Sequence, residues 1–113
     1  MHQLRINPYA KQDLLEIKEY ITQELDNPLA AINVISKIVE SYEKLKEFPM
    51  MGVDLSSRID VLTDYRYLIT GNYIVFYKAD DVYVSIYRII YSGRDYAKIL
   101  FDKKFELNQE QEE

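Results

Sequence analysis

Three arginines and two tyrosines carry most of the chemistry open to this chain: Arg66, Arg88, Arg94, Tyr91 and Tyr96. Clustered cations stabilise the charge that builds on a pentacoordinate phosphate, and they lower the pKa of a neighbouring Lys or Tyr. Cleavage of a phosphodiester is one reading of such a set, provided that the fold gathers it. Arg66 and Arg88 would meet one ligand if both project from the sheet face opposite the helices. Each arginine also has a structural alternative. Arg66 could be a solvated strand residue. Arg88 lies between Ile86 and Ile90, and alternation along a strand puts these three on one face, with Tyr83, Tyr87 and Tyr91 on the other. Apolar company for Arg88 suits a structural salt bridge, with Asp95 as its partner. Arg94 follows Gly93 at a turn and is the basic residue that best suits function.

Other chemistries lack their parts. His2 is the single histidine and there is no cysteine, so a metal centre, a thiolate nucleophile or a histidine triad has no ligand set; no metal or cofactor is expected. The net charge of −5 argues against a protein that grips nucleic acid by bulk charge, because that affinity comes from Lys and Arg displacing counterions. The charge is uneven: residues 58–104 hold eight basic against six acidic residues, whereas 105–113 hold four Glu and no base. Seven of the eleven tyrosines fall between residues 65 and 91, where they serve equally as strand formers or as a platform for a partner. No apolar run approaches the roughly 20 residues that cross a bilayer, and the first residues lack a signal-peptide pattern. A cytoplasmic protein without membrane contact is expected.

The elements that would position these residues follow from spacing. Gln3 to Ile6 alternates like a short strand. Asn7-Pro8 and Asn27-Pro28 each combine a capping side chain with proline at the first helical position. Ala10, Leu14, Ile17, Ile21 and Leu25 form one helical stripe, and Ala31, Ile35, Ile38, Tyr42 and Leu45 a second. So short a joint folds the two helices into a hairpin, and Phe48-Pro49 ends the second helix. Residues 50–62 read as a loop. Tyr65–Thr70, Tyr73–Ala79 and Val82–Tyr91 then read as three antiparallel strands joined by tight turns at Gly71-Asn72 and Asp80-Asp81. Ser92 and Asp95 have the spacing of a capping box, with a last helix over Arg94–Phe105. The class is α+β: a helical hairpin on one face of a small antiparallel sheet, closed by a short C-terminal helix. Leu14, Ile17, Ile21, Ile35, Ile38 and Tyr42 form the expected seam, packing on the sheet through Ile69, Val75 and Ile86. One domain over 1–105 and an acidic, frayed tail over 106–113 complete the reading.

This layout resembles the RelE/ParE toxin superfamily, and four segments are similar to it in sequence. They are the opening helix from Ala10 to Ile21, the joint Asn27-Pro28-Leu29-Ala30-Ala31, the exit Leu45-Lys46-Glu47-Phe48-Pro49, and the final strand with its basic turn, Arg88 to Tyr96. The resemblance spans roughly residues 3–102. It implies a bacterial growth-inhibiting toxin of a type II toxin–antitoxin system, of the plasmid-stabilization kind, silenced in a hetero-oligomer by a cognate antitoxin. RelE-like members are ribosome-dependent endoribonucleases that cut messenger RNA; ParE-like members inhibit DNA gyrase.

Arg66 stands where RelE-like members place a basic residue. Ile74 stands where they carry an arginine that contacts the scissile phosphate. Gly93 replaces the first of two arginines that many ParE-like members show in the basic turn, and Arg94 keeps the second. Tyr96 is an approximate counterpart of a RelE-like tyrosine. The candidates for catalysis are therefore Arg66, Arg94 and Tyr96, and those for target binding are Arg88, Arg94 and Tyr91. The acidic pI of 4.9, Ile74 and the incomplete catalytic set favour gyrase as target. The alternatives are a ribosome-dependent endoribonuclease and a non-toxic relic that only binds its antitoxin.

Overall fold

Two Asn–Pro pairs fix where the helices begin. In the computed structural model, which describes residues 1–102 and Phe105, strand β1 (Gln3–Ile6) leads directly into helix α1 (Pro8–Glu19), where the Asn7 side chain accepts the Tyr9 N–H at 2.7 Å. Helix α2 (Pro28–Glu43) starts the same way, with the Asn27 side chain accepting the Ala30 N–H at 3.1 Å. Such caps contribute about 1 kcal/mol each. Between the helices the chain widens into a π-helical turn (Tyr20–Glu24). It reverses at Asp26, whose φ is +48°. Helix α2 tightens into a 3-10 turn at Lys44–Lys46, so its α-helical part stops before Phe48-Pro49.

The loop expected over residues 50–62 contains a two-residue strand, β2 (Val53–Asp54), and a 3-10 turn at Leu55–Ser57. Three longer strands follow: β3 (Arg66–Thr70), β4 (Tyr73–Ala79) and β5 (Tyr83–Tyr91). Gly71, at φ +58°, makes the β3–β4 turn in a region where a Cβ would be strained. The sheet order is β1-β5-β4-β3-β2, antiparallel except that β1 lies parallel to β5. Helix α3 (Tyr96–Leu100) closes the fold. Its cap is Asp95, accepting the Lys98 N–H at 3.2 Å, rather than Ser92. The helix expected to continue to Phe105 includes Lys103 and Lys104, which lie outside the described residues, as does the acidic segment 106–113. No helix among the described residues is long and apolar enough to cross a membrane.

One extra residue decides which side chains face where. Phe76 pairs with Arg88 and Tyr77 with Ile86, so Tyr87 is a bulge in β5. A bulge flips the alternation beyond it. Ile86 and Ile89 consequently share the helix-side core with Val75 and Tyr77, whereas Tyr87 and Ile90 pack on the opposite side with Phe76. This corrects the expected groups. Tyr91 is separated from Tyr83 and Tyr87, and Ile86 from Arg88 and Ile90.

Both sheet faces are covered. The helical hairpin packs on one through Ile38, Tyr42 and Leu45. On the other lie Leu55, Tyr65, Leu100 and Phe105, so the face expected to be open for ligand is a second apolar core. The expected seam holds at Ile21, Ile38, Tyr42, Val75 and Ile86, all buried, with Leu14 and Ile17 packed beside them. Ile69 does not belong to it. Its side chain is 68% exposed, because it pairs with Ile74 on the second face, and Leu68 takes the helix-side position.

Candidate functional site

The site is built where β1 runs out. Ile6 is the last residue of β1 and pairs with Ile86, and the Asn7 N–H still reaches the Ile86 carbonyl at 2.9 Å. Beyond that point α1 crosses the edge of β5. Ala10 and Asp13 are the buried residues of its inward face. The Asp13 carboxylate accepts the Ile89 N–H at 2.9 Å and takes both Nε and Nη2 of Arg88, at 2.8 and 2.9 Å. The paired side chains are 14% (Arg88) and 7% (Asp13) exposed. A two-pronged guanidinium–carboxylate pair is both directional and strong. The Arg88 guanidinium also lies over the rings of Tyr9 and Phe105, at 5.6 and 5.5 Å. Its ion partner is thus Asp13, across the sheet edge, and not Asp95.

Two cavities flank this pair. The first, about 470 Å³, lies on the helix side and is lined by Ile17, Tyr20, Tyr73, Ile89 and Tyr91 with Glu16 and Arg94 at the margin. The rings of Tyr73 and Tyr91 meet edge to face at 6.0 Å. Burial pushes the Tyr73 phenol above its ordinary pKa, and the phenols of Tyr20 and Tyr91 push the same way. That direction keeps the hydroxyl protonated, which suits a binding surface and opposes a general base. The second cavity, about 510 Å³, lies between α1 and α3 and includes Tyr9, Arg88, Arg94 and Lys98. Arg94 lines both cavities and is exposed. The fold therefore brings Arg88, Tyr91 and Arg94 together at the end of β5.

It does not bring Arg66 to them, and although the Tyr96 N–H donates to the Arg94 carbonyl at 3.0 Å, the Tyr96 ring lines a separate cleft. Arg66 begins β3, four residues before its end at Thr70, a span of roughly 13 Å. Thr70 is the residue that pairs through Tyr73 towards Tyr91. Arg66 opposes Tyr77 on the helix side, whereas Arg88 lies on the other, so the two arginines do not share a face. The Arg66 guanidinium donates to the carbonyls of Gly52 and Met50, at 3.1 and 3.3 Å. Beside it, the Tyr77 hydroxyl donates to the Pro49 carbonyl at 2.9 Å and accepts the Gly52 N–H at 2.8 Å. Tyr96 stacks on Phe76 at 5.2 Å and lines a third cleft, about 320 Å³, with Ile69, Ile74 and Arg58. Ile74 is itself buried.

A family model described as "ParE toxin of type II toxin-antitoxin system, parDE" matches residues 4–96. The chain belongs to the ParE toxin family. Among solved structures, a chain from "Chromosomal ParDE TA system from P. aeruginosa" is similar, with a TM-score of 0.68 and 22% sequence identity over 80% of this chain and 96% of that one. At that identity the likeness speaks for the fold. No curated protein matches.

In this ParE-family chain, the residues that sequence reasoning passed over are Asp13, Tyr9, Tyr20 and Lys98. Asp13 left a signal. It sits one turn from both Ala10 and Ile17 on the apolar stripe of α1, and a carboxylate on a buried face requires a partner. Lys98 and Tyr9 left none, since only the docking of α3 against α1 places them beside Arg88.

Proposed function

We propose that this ParE-family chain is a growth-inhibiting toxin that acts on DNA gyrase as a binding inhibitor and is neutralised by a cognate antitoxin in a hetero-oligomeric complex. Arg88, Tyr91 and Arg94 form the target-binding end in this reading, with Arg94 as the free contact and Arg88 as its anchored neighbour. The observation that carries the choice of gyrase over RNA is the dispersal of the catalytic candidates. Arg66 is occupied by backbone carbonyls, and the Tyr96 ring, two residues from Arg94, is stacked on Phe76 and lines a different cleft. Phosphoryl chemistry draws its rate from preorganised donors converging on one phosphate, and no such convergence supports it here.

The test is induction of the wild-type chain in bacterial cells, followed by plasmid supercoiling and messenger-RNA integrity in the same culture. Growth arrest with disturbed supercoiling and intact messages is the expected result. Rapid loss of translated messages with normal supercoiling would replace this reading with the endoribonuclease, and unchanged growth would leave an antitoxin-binding relic.

A further inference from the structure

The cavity between α1 and α3 gathers positive charge in a chain whose net charge is −5. Arg88, Arg94 and Lys98 line it beside Tyr9, Ile99 and Phe105. Asp13 neutralises Arg88. Asp102, also in the wall, accepts the Phe105 N–H at 3.3 Å. Arg94 and Lys98 have no side-chain hydrogen bond or ion pair among the described residues. With Arg88 neutralised, Arg94 and Lys98 outnumber the Asp102 carboxylate, so the cavity keeps one net positive charge beside Tyr9, Ile99 and Phe105.

We propose that this cavity is the seat of an acidic segment of the protein target, in which Asp or Glu carboxylates flank an apolar side chain. The inference rests on the target-binding reading above and names the chemistry of the partner. Carboxylates would meet Arg94 and Lys98 while the apolar residue covers the partly exposed Tyr9 and Ile99. A cavity of about 510 Å³ admits one or two side chains. A nucleic-acid backbone suits it less, because such binding draws on many cations spread along a strand, and the apolar wall would face phosphates. Charge pairs at an interface rim act chiefly on encounter rate and salt dependence, so the site should bind quickly and weaken as salt rises.

The experiment titrates the full-length chain with the blocked hexapeptide Glu-Leu-Glu-Glu-Leu-Glu, following the backbone amide shifts of Arg94, Lys98 and Phe105. Saturable shifts are expected that weaken about tenfold or more in the double variant Arg94→Gln/Lys98→Gln and persist in Arg94→Lys/Lys98→Arg. Both residues are exposed, so the variants fold, which circular dichroism checks. Equal binding of the Gln-Leu-Gln-Gln-Leu-Gln peptide would overturn the proposal, as would equal binding by inorganic phosphate alone, tighter binding of hexathymidylate, or undiminished binding by the double variant. A parallel supercoiling assay separates this inference from the function it rests on. Inhibition by the wild type and equally by the double variant would sink the acidic-segment site and leave the gyrase reading standing. Failure of the wild type to inhibit would sink the gyrase reading, and the peptide titration would still decide the chemistry of the cavity.

Discussion

The carboxylate of Asp13 does for β5 what β1 no longer can: it accepts the Ile89 backbone N–H at 2.9 Å while holding both prongs of Arg88. One buried side chain thereby fixes the end of the strand that carries Tyr91 and Arg94. Removing a single partner strands a buried charge, a loss of about 3–5 kcal/mol. Asp13→Ala is expected to destabilise by that amount in urea unfolding. A cycle with Arg88→Met should give a coupling of about 1–3 kcal/mol, as for groups in direct contact. Additive single effects would show that the pair is not coupled.

Tyr77 is the corresponding fixture on the other side of the sheet. Its hydroxyl bridges the Pro49 carbonyl and the Gly52 N–H. Tyr77→Phe leaves both without that partner, and about 1–3 kcal/mol should be lost for a buried polar group so stranded. Gly52→Ala should be worse, since its Cβ would meet the Tyr77 ring and approach the Tyr67 carbonyl oxygen to 2.8 Å. Thermal melts of the two variants give the order.

Alkaline pH should unfold the chain through the same residue. Burial pushes the Tyr77 and Tyr42 phenols above the ordinary value; in Tyr77, hydrogen bonding with Gly52 and the charge of Arg66 partly offset it, and in Tyr42 the charge of Glu43 adds to it. A folded-state pKa raised in this way gives stability that is fully present below about pH 10, the unfolded value. That stability is lost as pH rises from there through the folded value. Chemical denaturation midpoints should be insensitive to these groups at pH 7–9 and fall above about pH 10. A wild-type midpoint that holds steady there would contradict the assignment. Asp80 acts at the acid end. The N–H groups of Tyr83 and Val82 hold its carboxyl below the usual range, so its contribution survives above the ordinary carboxylate pKa and disappears as pH falls through the lowered one. Full exposure keeps that contribution small.

Truncation should separate the buried helix side of β5 from the exposed position on β3. Ile86→Ala removes a fully buried side chain and should cost about 2–5 kcal/mol. Ile69→Ala, at an exposed position, should stay within about 0.5 kcal/mol. Equal losses would mean that Ile69 is covered.

Most of this fold could be read from the sequence because its signals are local. The Asn–Pro pairs placed both helix starts, and the Tyr- and Val-rich runs placed β3, β4 and β5 within a residue. What escaped was set by contacts distant in sequence or by single-residue irregularities. Alternation alone put Arg88 with Ile86, and only the Tyr87 bulge moves it to the other face. Ile69 looked like core by composition, yet register gave the place to Leu68. The candidate site divides the same way. Arg88, Tyr91 and Arg94 lie close in sequence and stay together. Arg66 depended on strand register and ended elsewhere, and Tyr96, though it adjoins Arg94, turns its ring into a separate cleft where α3 docks.

Arg94 should matter to function and hardly at all to folding. Arg94→Ala removes an exposed side chain without an ion pair among the described residues, so its melting curve should overlay the wild type within about 0.5 kcal/mol. Inhibition of the target should weaken by about 1–3 kcal/mol in binding, the range of an interface arginine. Supercoiling assays on the purified variant measure it, and full potency would remove Arg94 from the contact surface.

The parallel pairing of β1 with β5 also orders events during synthesis. Gln3 emerges from the ribosome early but finds its neighbour only after Tyr83 has followed, some eighty residues later. At about 5–20 residues per second the opening strand waits for seconds without its partner. Arg94 and the carboxylate-anchored strand end emerge after that. A chain terminated before Tyr83 would lack β5, and with it the strand that carries Arg88 and Tyr91 and leads into Arg94, so the candidate site is among the last parts of this fold to be assembled.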